Sequence, residues 1–196
     1  VADHRHRAED GVVEPALEDE PVAVFGGWGC GECRDCKRGD EQRCENSRAP
    51  GFQVDGGPAH GGTKWRYGIY NGGSWAVVRD NWIHHVAQDV ECTSEGGSAI
   101  GADSYYRGEQ AEVIGNLVHD IGPPGCHYVQ GIYVSTSGAV RNNVVYRVAQ
   151  GAIHLWHDAR DVVVSNNTVA ASGSGIIVGG GDFYYTAAGA DNVHVH

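Results

Sequence analysis

Four segments of this chain share one asparagine register. They are VVRDNWIH, EVIGNLVH, AVRNNVVY and VVVSNNTV, aligned on Asn81, Asn116, Asn143 and Asn167. A valine stands three residues before each (Val78, Val113, Val140, Val164), and an aliphatic residue two after (Ile83, Val118, Val145, Val169). A fifth copy begins at Asp191 and stops with the chain in VHVH. A second series interleaves with the first: AIGAD from Ala99, GIYVS from Gly131, AIHLW from Ala152 and GIIVG from Gly175. The asparagines lie 35, 27 and 24 residues apart, the length of one solenoid coil with variable loops.

A coil of that size cannot bury its own apolar face, so neighbouring coils must stack. Inward positions then form aliphatic columns, alternating with outward ones along each strand. An asparagine at a repeated bend can take a left-handed backbone, and its amide can bond the next coil. A β-sandwich also alternates, but it does not repeat one asparagine register. Residues 61–196 are therefore expected to be all-β parallel coils. The last coil, ending at His196, is expected to be truncated, with an uncapped edge.

Composition excludes some functions. Lys+Arg is 14 against Asp+Glu 25, a formal charge of -11, and no basic cluster offers a nucleic-acid surface. No run of about 18 apolar residues offers a membrane span. The chain has no Met, and its opening residues VADHRHRAED lack the apolar core of a signal peptide. It therefore reads as a fragment or a mature form.

The character of the chain changes near Gly56-Gly57. Residues 1–16 read as an irregular acidic tail, and 17–60 as a small lobe around C-x2-C-x2-C-x7-C, namely Cys30, Cys33, Cys36 and Cys44. Four thiolates at that spacing suit a closed tetrahedral structural zinc, with no open position for substrate. Cys92 and Cys126 stand apart, either as buried apolar residues or as a disulfide in an exported chain.

On these residues two resemblances stand. Residues 61–196, through RNNVVYRVAQGAIHLWHDARDVVVSNNTV and GIIVGGGD, resemble the right-handed parallel β-helix proteins of the pectate-lyase-like superfamily. That implies a polysaccharide partner, an extracellular parent family and, on acidic glycans, a possible Ca²⁺ requirement. Residues 17–57 resemble the structural-zinc lobe of zinc-dependent medium-chain alcohol dehydrogenases. The catalytic zinc ligands and the dinucleotide fold of that family have no counterpart here, so dehydrogenase activity is not expected.

If Ile100, Ile132, Ile153 and Ile176 point inward, Gly101, Tyr133, His154 and Ile177 form an outward row. Asp103, Ser135, Trp156 and Gly179 form the next, with His157, Asp158 and Arg160 in the turn HDARD and Asp182 after GGG. Tyr133, His154, His157, Asp158 and Arg160 are the candidate catalytic residues, with Asp103, Ser135, Trp156 and Asp182 binding substrate. Aromatic faces suit sugar rings. The phenol and imidazole suit proton abstraction in a lyase, and the carboxylates suit a hydrolase. Lyase chemistry on an acidic glycan is the leading expectation. A non-catalytic glycan-binding solenoid and an inactive chimeric fragment are the alternatives. His84, His85, His119 and His127 are expected in turns.

Overall fold

The computed structural model describes residues 34, 36–38, 52–180 and 189–196. Fifteen strands build three parallel sheets of five. Sheet A comprises β1 (Gln53–Asp55), β4 (Trp82–His84), β7 (Leu117–Ile121), β10 (Val144–Val148) and β13 (Thr168–Ala170). Sheet B comprises β2 (Tyr67–Asn71), β5 (Gly97–Asp103), β8 (Val129–Ser135), β11 (Gly151–Leu155) and β14 (Ser174–Val178). Sheet C comprises β3 (Val77–Arg79), β6 (Ala111–Ile114), β9 (Gly138–Arg141), β12 (Arg160–Ser165) and β15 (Asp191–Val195). The chain visits A, B and C in turn, five times over. That architecture is compatible with a parallel β-helix solenoid, and its first strand lies ahead of the expected start at Gly61.

Each sheet sends an aliphatic column into the core. In sheet A, Val54, Ile83, Val118, Val145 and Val169 lie in register. Ile69, Ile100, Ile132, Ile153 and Ile176 do so in sheet B. Val78, Val113, Val140, Val164 and Val195 do so in sheet C. The middle members are buried, while Ile176 in the last coil is 38% exposed. Strict alternation fails at one place in sheet B. Ala99, Gly131 and Ala152, one residue before the isoleucines, also face the core, and the position demands small side chains. A Cβ on Gly131 would meet Val145 Cγ1 at 2.7 Å and the Ala152 carbonyl at 2.5 Å.

The asparagines form a continuous ladder. Asn116 Oδ1 accepts from the backbone N–H of Asn81 (3.0 Å) and its side-chain amide (2.8 Å). Asn143 Oδ1 does the same for Asn116, both at 2.9 Å. Asn167 Oδ1 serves Asn143 in turn, at 3.0 and 2.9 Å. Each side-chain amide also donates to a valine carbonyl: Asn116 to Val78, Asn143 to Val113, and Asn167 to Val140. These amides satisfy backbone groups that the bend between sheets C and A would otherwise strand in the core. The left-handed residue is not the ladder asparagine but the one before it: Asp80, Gly115, Asn142 and Asn166, with φ between 54° and 67°. The bend and the hydrogen bonds are thus divided between two neighbours.

Candidate functional site

The outward row of sheet B lies in the expected register: Tyr70, Gly101, Tyr133, His154 and Ile177. His154 packs edge-on to Tyr133, with ring centroids 5.7 Å apart, and against Trp156 at 5.2 Å. Both of its ring nitrogens are shielded from solvent and make no hydrogen bond. Burial lowers its pKa to about 4. Trp156 lies over Gly179, where a Cβ would run into the indole. The lack of a side chain there makes room for the ring.

Beyond the end of β11, a tight turn closes with the Ala159 N–H donating to the Trp156 carbonyl at 3.0 Å, with His157 left-handed at φ 48°. The turn carries His157 and Asp158 toward the end of β5. Asp158 is buried and accepts from the Ser104 hydroxyl at 2.7 Å. Asp103 lies in register with the buried Ser135 and accepts from the Tyr105 backbone N–H at 2.6 Å. Burial raises the Asp103 pKa, against the pull of the Tyr105 amide, and the Asp158 charge adds to the rise. Burial also lowers the His157 pKa, opposed by Asp158 and then Asp103. Two carboxyls and an imidazole therefore interact at one partly desolvated corner.

Of the expected site residues, Tyr133, His154 and Trp156 form one aromatic group, and Asp103, Ser135, His157 and Asp158 lie at the same end of sheet B. Arg160 stands apart as the exposed first residue of β12. Asp182, Cys30, Cys33, Cys44 and the Cys36 side chain lie outside the described residues. Sequence reasoning missed Ser104, which secures Asp158, and a band of exposed tyrosines. Tyr67 and Tyr70 pack with centroids 5.4 Å apart, and Tyr105 and Tyr106 at 5.0 Å. Tyr106 is 71% exposed. The doublet SYY directly after a repeat segment was the available signal.

A second polar column lies where sheet A turns toward sheet B. Asp55, His84, His119, Tyr146 and Ala170 are in register. His84 and His119 lie on strands, whereas His85 and His127 do not. The His84 and His119 rings stack at 5.2 Å, and those of His119 and Tyr146 at 4.8 Å. The Trp82 indole donates to His119 Nε2 at 2.8 Å, which leaves the proton on Nδ1 to donate to Asp120 at 2.6 Å. Arg147 grips the same carboxylate with two donors, Nη2 at 2.6 Å on the Oδ2 that His119 uses and Nε at 2.5 Å on Oδ1. That guanidinium holds the Asp120 carboxyl well below the usual carboxylate range, against a smaller opposing effect of burial.

One coil earlier, Asp55, His84 and His85 place three potential metal-ligating atoms within 4.8 Å of one another. Burial lowers the His84 pKa against the pull of Asp55. A disulfide between Cys92 and Cys126 ties together the loops that follow β4 and β7. A shallow depression of about 410 Å³ opens at this corner, touching Gln88, Asp120, Pro124 and Arg147. No known protein family, curated protein or solved structure matches the chain.

Proposed function

We propose that the protein is a carbohydrate-active solenoid that lays an extended glycan along the outer face of sheet B. The observation that carries this reading is the exposed Tyr67 and Tyr70 on the sheet that also holds the buried Asp103, with Tyr105, Tyr106 and the buried Asp158 in turns at its end. Stacked coils present a long, flat surface suited to a polymer, and tyrosine faces match the apolar faces of sugar rings. The right-handed winding favoured by parallel crossovers and kinship with the pectate-lyase-like superfamily belong to the same proposal. The disulfide adds support for an oxidising compartment outside the cytosol.

The chemistry follows from the two carboxyls. Asp103, whose burial favours its protonated form, is suited to give a proton to a departing glycosidic oxygen. Asp158, buried and held by the Ser104 hydroxyl, is the second carboxyl of the pair, and activating water or attacking the sugar requires that it first be uncovered. Cleavage of this type needs two carboxyls flanking the bond. β-Elimination from an acidic glycan would instead draw on Tyr133 or His154 as base. His154 is the poorer of these, since a general base must reach the proton it removes and both its nitrogens are covered. In that reading Ca²⁺ or Arg160 would neutralise the substrate carboxylate.

The test is a panel of neutral and acidic polysaccharides, assayed for binding, for new reducing ends and for unsaturated products. Reducing ends without unsaturation are expected, lost in Asp158→Asn and Asp103→Asn, with binding weakened in Tyr106→Ala. Unsaturated products lost in Tyr133→Phe would move the assignment to the lyase. Binding without turnover would leave a glycan-binding solenoid. An absence of binding to every glycan would end the proposal. Separately, Cys30, Cys33, Cys36 and Cys44 are proposed to hold one structural Zn²⁺, which elemental analysis of wild type against a cysteine variant decides.

A further inference from the structure

We propose that Asp55, His84 and His85 form a binding site for a first-row divalent transition-metal ion, of which Zn²⁺ is the natural probe. The site uses none of the cysteines and lies on sheet A, away from the carboxyls at the end of sheet B.

Consecutive residues on a strand point to opposite faces, so neighbouring histidines do not ordinarily share a ligand. Here the chain leaves β4 through a left-handed residue, His85, at φ 58°. The bend swings the second ring back, and the two Nδ1 atoms come within 2.7 Å of each other. Asp55 supplies the third donor, its Oδ1 lying 3.3 Å from His84 Nδ1. The carboxylate is not free to wander. β1 pairs with β4 so that Asp55 faces His84, and the Gly57 N–H donates to the same Oδ1 at 2.8 Å. Two separate strands thus fix three convergent donors before any ion arrives.

The far side of His84 is prepared as well. The side-chain amide nitrogen of Gln53 lies 3.0 Å from His84 Nε2, an orientation in which it donates and the ring proton sits on Nδ1. The two ends of an amide are interchangeable by a flip. With its oxygen toward the ring, Gln53 holds the proton on Nε2 and leaves the Nδ1 lone pair aimed at Asp55 and His85. Such a partner is the usual support for a metal-bound imidazole.

The next coil serves as a control within the molecule. There the same two positions hold His119 and Asp120, and both are committed: Trp82 and Asp120 take the two His119 nitrogens, and Arg147 takes the carboxylate. That pair is closed. At His84 and His85, by contrast, two imidazole nitrogens and a carboxylate oxygen crowd one point, and only a proton or a cation can sit between them. Two imidazoles with one carboxylate favour zinc and its first-row neighbours over calcium or magnesium, which prefer all-oxygen shells. Zn–N bonds of about 2.0–2.1 Å place tetrahedral nitrogens roughly 3.3 Å apart. The half-buried His85 ring therefore needs to swing by only a fraction of an ångström. Three protein ligands leave a further position for water.

The test uses the full chain loaded with Zn²⁺ and, in parallel, Co²⁺. Cobalt bound by thiolates shows intense near-ultraviolet charge transfer, whereas cobalt bound by imidazole and carboxylate does not, so the two kinds of site are counted separately. Asp55→Asn keeps the side-chain shape, and His85→Asn keeps a residue tolerant of the left-handed backbone. Wild type should bind one equivalent without thiolate character. Each variant should lose it, with affinity down at least about 100-fold, and Gln53→Leu should weaken it roughly 10-fold. Circular dichroism and glycan binding should stay unchanged in all three. Equal stoichiometry and affinity in wild type, Asp55→Asn and His85→Asn would overturn the proposal and leave a shared proton between the rings.

Discussion

Two columns run up sheet A, three residues apart in every coil, and they behave in opposite ways. The first is Asn81, Asn116, Asn143 and Asn167: one residue type, one hydrogen-bond pattern repeated without change, and burial in the middle coils. The second is Asp55, His84, His119 and Tyr146, which changes at each step and makes different contacts at each step. Both columns are followed or preceded by left-handed residues, so the backbone cost is similar. The inner column closes the bend, and every coil must solve that problem identically. The outer column is relieved of that duty, and its residues are available for chemistry.

The largest effect should come from breaking the inner column. Asn116→Ala removes four hydrogen bonds and strands the Asn81 N–H and the Val78 carbonyl, at a cost of roughly 3–5 kcal/mol in urea unfolding. His119→Phe, in the outer column, should cost only about 1–2 kcal/mol. Equal losses from the two would erase the distinction. Next comes the covalent tie at the outer corner. Reducing Cys92–Cys126, which spans 34 residues, should cost between roughly 3 and 4 kcal/mol, read as a drop in the denaturant midpoint.

A smaller effect concerns the outward row of sheet B. His154 is held neutral in the fold, with a pKa near 4 against 6.5 as its ordinary value. The unfolded chain then binds the extra proton first. Stability should be full above about pH 6.5 and fall as the pH drops toward 4. Discounted for partial solvent screening, the loss is about 2 kcal/mol. Tyr133, Trp156 and His157 surround the ring, and Asp103 works in the opposite direction, since a raised carboxyl weakens the fold as it ionises. His154→Phe should flatten the slope between those pH values, as followed by thermal melts. The smallest effect is at Arg147, whose side chain is 53% exposed. Arg147→Ala should leave the denaturant midpoint almost unchanged, while the Asp120 carboxyl returns toward its ordinary titration range by NMR.

Much of the scaffold was legible because repetition survives in sequence. The valine and isoleucine files, the asparagine register and the row through Tyr133 and His154 all follow from period-two alternation applied to aligned segments. The left-handed residue was placed one position late, on the asparagine itself. A bend and its hydrogen-bonding side chain look alike in a string of letters, and only torsion angles separate Asp80 from Asn81. The inward pair at Gly131 and Ile132 was likewise hidden, because strict alternation assigns one of the two outward.

The sites obey no period. Asp55 and His84 lie 29 residues apart by numbering and belong to different coils, yet strand pairing sets them face to face. Asp103 and Asp158 are separated by two coils, and a tight turn after Trp156 carries Asp158 to Ser104. By itself the sequence determined the stacking: one coil cannot hide its own apolar face, so the repeat that lets coils share a core also writes itself into the residue order. The tertiary structure alone decided which outward side chains meet. Outward positions are free to differ from coil to coil, and their proximity depends on strand register and on where the corners bend.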